Sequence, residues 1–116
     1  MPTYRALSLQ QPSANLIRDG HKTIETRRWS TTYRGELLLC ASKKTTIEPF
    51  GCAVCLVELV DCRPMAVGDW AKACIDPYDR AFGWHLENIR PVKTLQVRGA
   101  LGIYSVDLPP LPDLLC

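Results

Sequence analysis

No apolar run in the sequence is long enough to cross a membrane. The opening "MPTYRALSLQ" lacks the charged, apolar and small-residue segments of an export signal. The expected location is therefore the cytoplasm or an equivalent reducing compartment. Metal-binding patterns are also missing. There are only two histidines, His21 and His85, and no second cysteine pair completes a zinc set around Cys52 and Cys55. Six cysteines would suggest a disulfide framework only in a secreted chain. Reduced, buried, hydrophobe-like thiols are the expectation instead. "CAVCLVELVDC" reads as a strand, and a spacing of three on a strand sends Cys52 and Cys55 to opposite faces, which is wrong for joint chelation. No metal and no cofactor are expected. Internal repeats and low-complexity tracts are absent as well.

What is present fits one domain over residues 1–116: length for a single core, and 47% hydrophobic residues. The net charge of +2 decides little, but its distribution is uneven. Between Arg18 and Lys44 there are seven basic residues and three acidic ones; from Thr45 onward there are six basic and nine acidic. A positive field concentrated in one third of the chain points to an anionic partner such as nucleic acid, with a solvated surface as the plainer alternative.

Element signals follow in order. "TYRALSLQ" alternates as a strand, with Tyr4, Ala6 and Ser8 on one face and Leu7 and Leu9 on the other. "QPSANLIRDG" reads as a short helix, with Pro12 in its first turn and Gly20 at its stop. "KTIETRRW" favours extended structure. "ELLLCAS" and "GCAVCLVELVDCRP" are continuous apolar runs bounded by turn residues. "MAVGDWAKACI" suits a small helix, "DPYDRAFG" a loop, and "WHLENIRPVKTLQV" and "ALGIYSVDL" two more strands. Residues 109–116 form an irregular, proline-rich tail that should lie over the body with Leu111, Leu114 and Leu115 partly buried. Five or six strands without regular β-α alternation predict an α+β domain on a mostly antiparallel, barrel-like sheet with one or two short helices.

The segment "GHKTIETRRW" carries the densest charge. On a strand, Thr23, Glu25 and Arg27 share one face, Ile24 points to the core, and Lys22 bends over the polar face. Trp29 and Tyr33 flank this group, so it reads either as a polar pocket or as a surface salt-bridge cluster of about 0 to 1 kcal/mol per exposed pair. Arg34 and Lys43 are further candidates for phosphate contact, while Arg28 and Lys44 are expected to be solvated. Trp29, Tyr33 and Trp84 are candidates for base stacking, and Trp70 for packing under the small helix. His85 should point away from Trp84.

"ALSLQQPSANLI", "GHKTIETR", "YRGELLLCASK", "CLVELVDCRPM", "GWHLENIRPV" and "VRGALGIYSVDLP" together resemble the ASCH domain family, from about Ala6 to about Pro109. The most specific of these motifs is G-x-K-x-x-E-x-R, matched by Gly20, Lys22, Glu25 and Arg27. The resemblance implies a PUA-like β-barrel, a cleft lined by the signature residues, and recognition of RNA or a modified nucleoside. It also implies an alternative. Some members are similar in fold to a small amidohydrolase that removes acetyl from N4-acetylcytidine with a Lys, a Thr and a Glu, and a ribonuclease activity is attributed to others. Lys22 matches the amidohydrolase lysine, but Glu25 stands where that enzyme keeps its threonine. Family members often read Q-P-W-A where this chain has Ser13 in place of the Trp, and L-L-I-H-A where it has Cys40 in place of the His. Two readings therefore stand: a binding module, or a hydrolase with Glu25 as base and Lys22 as electrostatic stabiliser.

Overall fold

The computed structural model describes all residues 1–116. Six strands, β1 (Thr3–Leu9), β2 (Ile24–Arg27), β3 (Gly35–Ala41), β4 (Cys52–Pro64), β5 (Phe82–Pro91) and β6 (Ile103–Asp107), form one sheet in the order β2-β5-β4-β3-β1-β6. Helix α1 (Ser13–Arg18) joins β1 to β2, and a 3₁₀ turn (Val67–Asp69) leads into the single turn of α2 (Trp70–Ala73). The β1–β3 pair is parallel and the other four are antiparallel, so the sheet is mixed. No helix is long and apolar enough to cross a membrane.

The continuous apolar runs of β3 and β4 reflect a sheet buried on both faces. Leu37 and Leu39 join one core cluster with Leu7, Leu9, Trp84 and the inner face of α1, Ala14 and Ile17. Their neighbours Leu38 and Cys40 join a second cluster with Tyr4, Ala6, Leu56 and Leu108. The tail covers that second face: Leu114 is fully buried, the Lys93 amide donates to its carbonyl at 2.9 Å, and Val92 bridges to Leu115.

Two expectations are corrected here. The sheet does not close into a barrel, because its terminal strands β2 and β6 are not paired with each other. β2 has only four residues, and its single ladder partner is β5. In β4, the register against β3 slips so that Cys55 faces Leu39 while Ala53 faces Cys40, leaving Val54 as an extra residue. This bulge breaks the alternation. Cys52 and Cys55 consequently lie in the same core cluster rather than on opposite faces. Burial pushes the Cys55 thiol up to about 12, and that of Cys40 equally, as suits inert core cysteines.

Candidate functional site

The site begins at the end of α1. Gly20 takes a positive φ of 84°, which a residue with a Cβ rarely adopts. The amides of His21 and Lys22 then both turn back to the Leu16 carbonyl, at 2.9 and 3.1 Å. This reversal directs Lys22 into the interior, where the residue is only 2% exposed. Its ammonium donates to the carbonyl of Ala73 at the C-terminal end of α2, where a helix leaves carbonyls without internal partners. The same ammonium lies 3.5 Å from Glu25 Oε1. Lys22 thus meets the Glu25 carboxylate from a buried position held by α2.

Strand alternation carries Ile24 into full burial, 1% exposed, while Glu25 is 8% exposed. The second carboxylate oxygen, Oε2, lies 3.2 Å from Arg27 Nη2. Arg27 Nη2 also donates to the backbone carbonyl of Ser8 on β1 at 2.7 Å, while its buried Nε has no partner within the protein. Glu25 is therefore gripped through both oxygens. The chain Lys22–Glu25–Arg27–Ser8 ties the edge strand β2 to β1 across the part of the sheet where backbone pairing stops.

That gap opens as a cleft of about 1140 Å³. Glu25 to Arg28 line it from β2 and the residue after it, Ser8 to Gln10 from the end of β1, Ala41 to Lys44 from the end of β3, and Val97 to Gly102 from the loop before β6. Six basic side chains face it, Lys22, Arg27, Arg28, Lys43, Lys44 and Arg98, against the single carboxylate of Glu25. The cleft meets no acid elsewhere, so its field is strongly positive.

Lys22, Glu25, Arg27 and Lys43 are the sequence-predicted site residues that the fold brings together in the cleft. The others lie outside its lining. Thr23 is spent on backbone pairing, its amide to Lys72 and its carbonyl to Leu86, each at 3.0 Å. Trp84 is 0% exposed and belongs to the core, where its indole N–H donates to the Trp29 carbonyl at 3.3 Å. Trp29 packs edge-on against it, with centroids 4.8 Å apart. The Tyr33 hydroxyl donates to the Glu36 carbonyl, and Arg34 sits 3.6 Å from Asp61. Stacking on Trp84 is ruled out by its burial.

Residues expected to be solvated take some of these places. Arg28 and Lys44 line the cleft, and so do Arg98 and Tyr78. The Arg28 guanidinium lies over the Tyr78 ring, 5.1 Å from its centroid, and Trp70 packs edge-on against the same ring. The only signal for Tyr78 in the sequence is a ring inside the polar loop "DPYDRAFG", away from any apolar run. His85, beside Trp84 on β5, is half-buried with an unpartnered Nε2. Burial, with the nearby Arg63, holds its pKa below the ordinary histidine value.

These features define a small α+β domain built on a mixed, unclosed sheet, with a basic cleft beside its shortest strand. The family model of the ASCH domain matches residues 7–96, and the chain belongs to that family. The crystal structure of ASCH from Zymomonas mobilis is similar in fold, with a TM-score of 0.65 and 17% identity over 81% of this chain and 73% of that one. A single-residue variant of the same Zymomonas mobilis protein gives a TM-score of 0.64 and 16% identity over 81% and 76%. At such identity the likeness establishes the fold alone. Among curated protein sequences, none matches this chain.

Proposed function

We propose that the cleft binds single-stranded RNA or a modified nucleoside, with the signature residues as its floor. The observation that carries this reading is the charge arrangement: six cations against one carboxylate, with that carboxylate held by a cation at each oxygen. The volume, about 1140 Å³, lies just above the usual range of small-ligand pockets and suits a nucleotide together with the strand that leads to it. Exposed Lys43, Lys44 and Arg98 at the rim supply phosphate contacts, while on the floor Lys22 and Arg27 are engaged by Glu25, which leaves that position to a base. Titrating labelled single-stranded and duplex RNA at two salt concentrations tests the reading. Tighter binding of the single strand, weakening with salt, is expected; no affinity for either and no salt dependence overturns it.

The presence of both Lys22 and Glu25 in the cleft lining supports a second reading, hydrolysis of an amide or phosphodiester in a nucleoside or RNA. It requires Glu25 to take a proton from water while both its oxygens are engaged, and for this reason we rank it second. Incubation with N4-acetylcytidine, followed by chromatography for cytidine, decides between the two. Turnover that is lost in Lys22→Ala would establish the hydrolase.

A further inference from the structure

We infer that Tyr78 is the surface on which a base of the bound strand stacks, an inference that rests on the binding reading of the cleft. Three observations converge on it. Tyr78 is the one aromatic side chain in the lining; Trp29, Tyr33 and Trp84 all lie elsewhere. A ring-stacked base in this cleft therefore has a single ring to meet. The Tyr78 ring is also braced, because Trp70 meets it edge-on with centroids 5.5 Å apart and planes at 65°, fixing one side of the ring. Finally, a planar group already rests on its face, the Arg28 guanidinium at 5.1 Å from the centroid. A guanidinium and a nucleobase are both flat, delocalised groups that lie on aromatic faces, so a surface shaped for one admits the other. Arg28 is exposed and has room to swing toward a phosphate as the base arrives.

This arrangement gives the cleft a division of labour. The rim cations hold the backbone, and the Tyr78 face reads the presence of a base with little regard to its identity, since every base has a π-face. Affinity should then contain a base-dependent part that resides in one side chain and a salt-dependent part that resides in others.

Binding of a short single-stranded oligoadenylate and of an abasic ribose-phosphate oligomer of equal length, measured by fluorescence anisotropy, separates the two parts. The wild type and Tyr78→Phe should prefer the oligoadenylate. Tyr78→Leu should lose roughly 5- to 150-fold on the oligoadenylate, the range one stacked base supplies, and almost nothing on the abasic oligomer. Equal losses on both oligomers, no loss on either, or a wild type that binds the two alike would overturn the stacking role while leaving the cleft a phosphate binder. A wild type that binds neither overturns the binding reading itself. Photo-crosslinking of the wild type to a bromouridine-substituted oligomer needs no variant to fold. Crosslinks should map to the peptide containing Tyr78, and crosslinks confined to other peptides would overturn the inference.

Discussion

Replacing Glu25 by Gln tests whether the signature carboxylate holds the site together. The substitution keeps size and shape and removes the negative charge between Lys22 and Arg27. The Lys22 ammonium, 2% exposed, would keep its bond to the Ala73 carbonyl but lose its only counter-charge, and the guanidinium of Arg27 would remain on the far side of residue 25. Removing one partner from a buried ion pair costs about 3 to 5 kcal/mol, because the other charge stays desolvated. Arg27 is 24% exposed at its side chain, so solvent screens its share and the lower end applies, about 3 kcal/mol. For a chain of this size that corresponds to a fall in Tm of roughly 12 °C. Thermal melting by circular dichroism, with urea titration to check that the denaturant slope is unchanged, measures it. A double-mutant cycle with Lys22→Met isolates the cause. Met removes the buried ammonium while Glu25 keeps Arg27, so this variant should lose less than half as much, and the double variant should be more stable than Glu25→Gln alone. Glu25→Gln melting within about 2 °C of the wild type would refute the reasoning, as would a double variant less stable than Glu25→Gln.

Three other outcomes follow from particular groups. Lys44→Ala should lower the salt slope of RNA binding by roughly 0.7, one phosphate contact on a single strand, whereas Arg34→Ala, outside the cleft lining and beside Asp61, should leave the slope unchanged; parallel anisotropy titrations compare the two. His85 has a folded-state pKa below 6.5, so only the unfolded chain takes up its proton as the pH first falls beneath that value. Its contribution to stability is intact above pH 6.5 and is lost progressively down to the folded pKa; urea midpoints across this range should fall with pH in the wild type and fall less in His85→Gln. Alkylation of the folded protein should label exposed Cys74 and Cys116 ahead of Cys40 and Cys55, whose thiols burial pushes up to about 12; mass spectrometry of the labelled peptides checks the order, and early labelling of Cys55 would count against the packing described for β4.

Local chemistry made the elements legible in the sequence. Pro12 and Gly20 bracket α1, and unbroken apolar runs mark β3 and β4 as strands covered on both faces. The polar floor was legible for a similar reason, since a period of two is enough to bury Ile24 and set Glu25 beside Arg27. Long-range register was not legible. Nothing in "GCAVC" announces that Val54 is an extra residue, because the slip exists only relative to β3. Likewise, a ring in a strand faces core or cleft according to which neighbouring elements pack against it. Trp84, a stacking candidate by sequence, is core, and Tyr78, in a loop as its sequence predicts, lines the cleft.

Closure of the sheet was the least legible feature, and it explains why the signature takes the form it does. A barrel would need backbone pairing between the two ends of the sheet, which would fill the space beside β2. Here β2 ends after four residues, and side chains connect it instead to β1, the strand next to the opposite end: Arg27 reaches the Ser8 carbonyl at 2.7 Å, Glu25 fixes Arg27, and Lys22 anchors Glu25 to the end of α2. Side chains span a wider gap than a ladder of neighbouring strands, about 4.8 Å apart, can. The spacing of the motif follows from this task. The glycine turns the chain, the lysine enters the interior two residues later, and glutamate and arginine fall on one face of the strand. The same three charges that tie the sheet across its opening form the floor of the cleft, so substitutions there should move stability and binding together, whereas those at Tyr78 or Lys44 should move binding alone.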